Sequence, residues 1–127
     1  MDEVFTGIWD RLGFNDMETM SREDYFRFIN LSIDIALEDP DHWRLYFAIF
    51  TQPHVLNLFM DDLMQKSGPY LKLLYDYYEE QGYEEPLIQM RYAAAIIDGI
   101  QMHIMLDPEN FPVEGVRKLL IENLMKN

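Results

Sequence analysis

The side chains that could do chemistry in this 127-residue chain are few and scattered. His103 and Asp107 lie four residues apart, so on a helix both reach the same side and could share a metal ion or a proton. No Glu-x-x-His pair of the helical di-iron kind accompanies them, and the chain has no cysteine to complete a ligand set. A histidine beside an aspartate near a helix end then reads as a hydrogen-bonding pair at the surface. Asp61 with Asp62 and Glu79 with Glu80 are adjacent residues, which point about 100° apart on a helix and read as solvated faces rather than paired carboxylates. His42 and His54 stand at helix starts, and Ser67 before Gly68 lacks the strand-turn-helix setting that exposes a nucleophilic serine. The pattern points away from catalysis, and neither a metal nor a cofactor is expected.

The charge balance excludes another class. With 10 Lys and Arg against 23 Asp and Glu, the net charge is −13. Nucleic-acid affinity rests on cationic side chains releasing counterions from phosphates, so this chain by itself should not bind DNA. The amino end is acidic where a signal peptide would be basic, and Asp98, Gln101 and His103 interrupt the longest apolar run. Neither export nor a membrane span is expected, and the lack of cysteine fits a reducing cytoplasm. A chain of this length forms one domain that buries roughly two-thirds of its unfolded surface. Nine Met residues with abundant Phe and Tyr suggest a soft interior, of a kind that also suits ligand sites.

The element that must organise these residues runs from Glu85 to Pro108. Pro86 suits a first helical position and Pro108 forbids continuation, which marks out one helix about 33 Å long. Its apolar side chains fall on two opposite arcs. One carries Ile88, Tyr92, Ala95, Gly99, Met102 and Leu106; the other carries Met90, Ala93, Ile97, Ile100 and Ile104. Arg91 with Asp98, and Gln89 with His103, form thin polar seams between them. A helix apolar on both sides is buried on both sides. It is either the central helix of a monomer or a helix with its own core on one side and a partner subunit on the other.

The rest of the chain reads as further helices punctuated by Gly and Pro. Asp2 to Leu12 carries Val4, Phe5, Ile8, Trp9 and Leu12 at helical spacing, closed by Gly13. Ser21 opens the next helix as a capping box with Asp24, and Met20 with Tyr25 stand as a hydrophobic staple. That helix runs to Glu38 with a solvent stripe of Glu23, Arg27, Asn30, Asp34 and Glu38. Asp39 and Pro40 start another that Pro53 stops, and one from His54 is broken by Ser67, Gly68 and Pro69. The next spans Tyr70 to Gln81 before Gly82, and a last helix from Pro112 aligns Val113, Val116, Leu120 and Leu124. The expected fold class is all-α, a multi-helix bundle of seven helices.

The succession LKLLYDYYEEQG, then RYAAAIIDGIQMHIMLDPENFPVEGVRKLLIENL, resembles the last three helices of the C-terminal domain of the tetracycline-repressor (TetR) family of bacterial transcription regulators. The resemblance rests on Asp98–Gly99 inside an Ala- and Ile-rich helix, on the short loop with Asp107–Pro108, and on the final amphipathic helix. The resemblance implies an effector-binding and dimerisation domain over residues 21–127. Residues 1–20 would be a linking helix and loop toward a basic helix-turn-helix head that this chain does not contain. Such a chain is either a truncated regulator or a naturally headless relative. The family arrangement pairs the last two helices of each subunit in a four-helix bundle and encloses a ligand among the preceding ones.

On that arrangement the expected homodimer interface is Ala93, Ala94, Ile97, Ile100, Ile104, Val116, Leu120 and Leu124. The expected ligand-lining residues are Ile33, Phe47, Phe50, Phe59, Leu63, Tyr70, Leu74, Tyr92 and Ile96, with Tyr70 and Tyr92 supplying hydrogen bonds. The ligand would be a small hydrophobic or amphipathic effector, and the acidic, aromatic-rich composition would tolerate a lipophilic cation. DNA would be contacted only through the absent head, and no membrane is expected as a partner. The contrasting reading is a stand-alone helical dimerisation or adaptor protein without a ligand, which shares the same packing features.

Overall fold

The computed structural model describes residues 17–126, apart from a set of side chains between His42 and Ser67. Among the described residues five helices follow one another: α1 (Arg22–Glu38), α2 (Pro40–Phe50), α3 (Pro53–Glu80), α4 (Pro86–Leu106) and α5 (Val113–Leu124). No strand occurs among the described residues, so the chain is an all-α multi-helix bundle. The helix expected over 2–12 lies outside the described residues.

Local signals set most of the helix ends. The Ser21 hydroxyl accepts the Asp24 amide at 3.1 Å, and the Asp24 carboxylate accepts the Ser21 amide at 3.0 Å, closing the capping box at the start of α1. Those bonds hold the Asp24 carboxyl below its usual value, chiefly through the Ser21 backbone amide. At the end of α3, Gly82 adopts φ 91°, a left-handed conformation that glycine enters without strain. The turn lets the Tyr83 amide reach the Tyr78 carbonyl at 3.2 Å and the Gly82 amide reach Glu79 at 3.1 Å. These are the paired bonds of a Schellman cap.

The break expected at Ser67-Gly68-Pro69 does not occur. α3 runs unbroken for 28 residues with Pro69 inside it, which fuses two expected helices into one. An internal proline forfeits one backbone bond and costs about 3 kcal/mol. Burial of Leu73, Leu74, Tyr77 and Tyr78 just beyond it offsets that cost, since each large apolar side chain removed from water contributes about 1.5–3 kcal/mol.

α4 is the hub, in contact with α1, α2 and α3, while α5 rests on α1. α1 meets α3 through a group of tyrosines. The Tyr25 and Tyr78 hydroxyls share a buried hydrogen bond of 2.6 Å. The Tyr25 ring stacks on Tyr77 at 4.5 Å, and Tyr78 meets Tyr25 and Tyr83 edge-on at 5.5 and 5.7 Å. Burial pushes the Tyr25 hydroxyl far above its ordinary value and that of Tyr78 up to about 12.

α5 is held by Leu120 and Leu124 inside the core and by arginines at its edges. Arg117 donates to the Asn30 carbonyl and side-chain oxygen at 3.3 and 3.0 Å and to Asp34 at 2.6 Å, while Arg22 donates to the Met125 carbonyl. Asn30 and Asp34, partly exposed on α1, therefore also anchor α5.

Two outcomes follow for the tyrosines. Tyr78→Phe leaves the buried Tyr25 hydroxyl without its partner and should cost about 1–3 kcal/mol in chemical denaturation. Adding Tyr25→Phe should recover part of that loss, because no orphaned hydroxyl remains. Since both folded-state values are raised, the folded chain holds more protons than the unfolded chain above the unfolded tyrosine value of about 10. The stability contributed by the tyrosines should be flat below that pH and fall as pH rises from there through about 12, measured by denaturation from neutral pH upward.

Candidate association surface

Both arcs of α4 are apolar, and the contacts of the helix decide which one points inward. Pro86, Ala93, Ile97, Gln101, Ile104 and Met105 form its buried face. Gln101 fixes the rotation: its side-chain amide donates to the Ser32 carbonyl of α1 at 2.9 Å, and the Ser32 hydroxyl bonds the Phe28 carbonyl at 2.8 Å. A buried amide must find such a partner, and at this rotation of α4 the Ser32 carbonyl supplies it.

The opposite arc is left at the surface. Ile88 is 59% exposed, Tyr92 52% and Leu106 67%, against 6% for Ile97 and 0% for Ile104. Ala95 is exposed between them, with Gly99 and Met102 half-buried. Leu87 beside Ile88 and Leu119 on α5 add exposed apolar side chains. Scattered surface leucines are ordinary, but Ile88, Tyr92 and Leu106 exposed along one arc of a single helix make it a candidate interaction surface, with Met102 packed partly against the core between them.

The arc expected at the subunit interface is the one buried within the single chain. Ala93, Ile97, Ile104, Leu120 and Leu124, expected at a subunit interface, are sealed within the core of a single chain. Ile100 is half-buried against that core, Val116 is half-buried on α5 and Ala94 is exposed. Tyr92, expected inside, stands on the outer arc. The physical reason is that periodicity identifies two apolar faces without ranking them; only the packing of α1, α2 and α3 does that.

Of the residues expected to line a ligand cavity, Ile33, Phe47 and Leu74 belong to the core, and Tyr70 and Ile96 pack partly buried against it. All five belong to, or pack against, the same hydrophobic cluster. Phe50, Phe59 and Leu63 have side chains outside the described set.

The candidate chemical residues are dispersed. The His103 ring stacks on Phe111 at 5.8 Å, and Asp107 accepts the Asn110 side-chain amide at 3.1 Å. His103 and Asp107 therefore each engage the loop after α4. Asp61, Glu79, Glu80 and His54 are exposed. Among the described residues no group of three or more His, Cys, Asp or Glu side chains is placed to hold a metal ion, and no helix is long and apolar enough to cross a membrane. Asp98 reaches water at the rim of the outer arc, where surrounding protein strips part of its hydration and raises its carboxyl above the ordinary value.

Comparison with known protein families, curated proteins and solved structures finds no match. The function must be argued from the chain's own geometry.

Arg117 is the residue that sequence reasoning missed. Its place beside the Val113–Val116–Leu120–Leu124 line was the available signal, since a long cation next to an apolar line can cover it and bond beyond it.

Substituting one residue on each face tests the orientation of α4. In dilute solution Ile104→Glu should destabilise the fold by more than about 4 kcal/mol, because it buries an unpaired charge. Leu106→Glu, two residues on, should stay within about 0.5 kcal/mol of the parent by chemical denaturation.

Proposed function

We propose that this chain is the regulatory half of a bacterial TetR-like transcription regulator. It takes a small hydrophobic or amphipathic effector among α1 to α4, works as a homodimer in the cytoplasm, and governs a helix-turn-helix head that lies outside this chain. The supporting observation is the position of α4. One face packs against α1, α2 and α3, and the other presents exposed apolar side chains along one arc.

A rod with two such faces couples them. A ligand seated among the neighbouring helices shifts the inner face, and the outer face moves with it against a partner. The effector then acts through its differential affinity for the two arrangements of the pair, with no covalent step. The net charge of −13 keeps DNA contact away from this part of the protein.

A helical self-association module without an effector is the second reading. It is favoured by the burial of Ile33, Phe47 and Leu74 within the hydrophobic core.

Thermal denaturation against a panel of small hydrophobic compounds and lipophilic cations separates the two. A fitting effector at a hundred times its dissociation constant should stabilise the chain by about 2.7 kcal/mol, which for a domain of this size is a rise of several degrees in Tm. A panel that moves Tm for no compound would favour the self-association module.

A further inference from the structure

We propose that two copies of this chain pair antiparallel along α4, through a seam of Ile88, Tyr92, Ala95, Gly99, Met102 and Leu106 that crosses between Ala95 and Gly99. This rests on the reading that the domain works as a pair, and it fixes the face and the direction of that pair.

The spacing of the seam is the first ground. From Ile88 the steps are four, three, four, three and four residues, a strict heptad alternation. Alternate steps of three and four keep side chains on one narrow stripe facing a second helix, as in packing with a crossing angle near 20°.

Size symmetry is the second. About position 97 the seam is self-complementary: Ile88 comes opposite the partner's Leu106, Tyr92 opposite the partner's Met102, and Ala95 opposite the partner's Gly99. Large side chains lie toward the ends and the two smallest at the middle. An isologous two-fold contact requires one patch to fit its own copy, and an antiparallel crossing at the centre gives that fit.

Gly99 is the third. Glycine inside a helix costs about 1 kcal/mol relative to alanine. Its own chain does not need it, because a Cβ added there meets nothing within 4 Å, and its φ is not left-handed. A second helix axis brought close over Ala95 and Gly99 gives the missing side chain a use.

One flank permits the approach: Gln89 comes near the partner's His103 and Ile96 near the partner's Ile96, with no carboxylate among them. On the other flank Asp98 comes near the partner's Asp98, a like-charge contact that, with a net charge of −13 on each chain, weakens the pair. A four-helix bundle sharing α5 is disfavoured, because Leu120 and Leu124 are already buried within one chain. A two-helix contact of this length sits near the lower edge of specific interfaces, about 1,000 Å² in total, so the pair should dissociate on dilution.

The parent has no cysteine, so introduced thiols report alone. Tyr92→Cys and Met102→Cys variants are checked for parent-like helix content, then oxidised separately and as a mixture. The mixture should give about tenfold more disulfide-linked dimer than either variant alone. In the antiparallel pair the two different positions meet, whereas like positions lie about 15 Å apart along the axis, beyond disulfide reach.

Efficient linkage of each variant to itself would mean parallel helices and overturn the proposal. A mass twice 15.2 kDa by light scattering without linkage in the mixture would overturn this interface and leave the dimer reading standing. A monomer at every concentration would overturn both. As an independent check, Gly99→Leu fills open space in its own chain and blocks the close crossing. It should abolish dimer while keeping or raising Tm, and a retained dimer would overturn the proposal.

Discussion

A helix can bury both of its faces only if something lies on each side of it, and α4 meets that constraint with its own chain on one side only. α1, α2 and α3 cover the face of Ala93, Ile97 and Ile104. The bond from Gln101 to the Ser32 carbonyl marks that rotation, since it gives the one polar side chain of the buried face its partner. Everything else follows from which side is already taken. α5 is spent on α1 through Leu120, Leu124 and Arg117, and the stripe from Ile88 to Leu106 is left facing water.

The parts of this arrangement legible in the sequence are the ones set by neighbours in the chain. The Ser21–Asp24 capping box, the Gly82 turn and the proline-marked start of α4 each depend on a few consecutive residues, and each is present. What the sequence hid depends on distant residues. Pro69 reads as a break because the local cost is plain, while the offsetting burial of Leu73, Leu74, Tyr77 and Tyr78 is a tertiary fact. Asn30 and Asp34 read as solvated because Arg117, more than eighty positions away, is invisible from their own helix. The two arcs of α4 carry similar apolar content, so their assignment needed the one polar residue with a buried partner. Gln101 was that signal: it lies among the residues of the inner arc, whereas the outer arc has glycine and alanine at its centre.

The candidate site is legible in the same divided way. Periodicity alone finds that α4 is doubly apolar, and this is the feature on which the functional reading stands. The choice of interface residues required the fold. The tyrosines illustrate a related point, because part of the aromatic content forms a stacked and hydrogen-bonded contact between α1 and α3, which only the fold brings together.

Whether a second copy of the chain covers the outer face of α4 is read by sedimentation velocity of the unmodified protein over a wide dilution series. A covered face gives a reversible equilibrium between 15.2 kDa and twice that mass, shifting toward the single chain on dilution. A single species of 15.2 kDa at every concentration would contradict it.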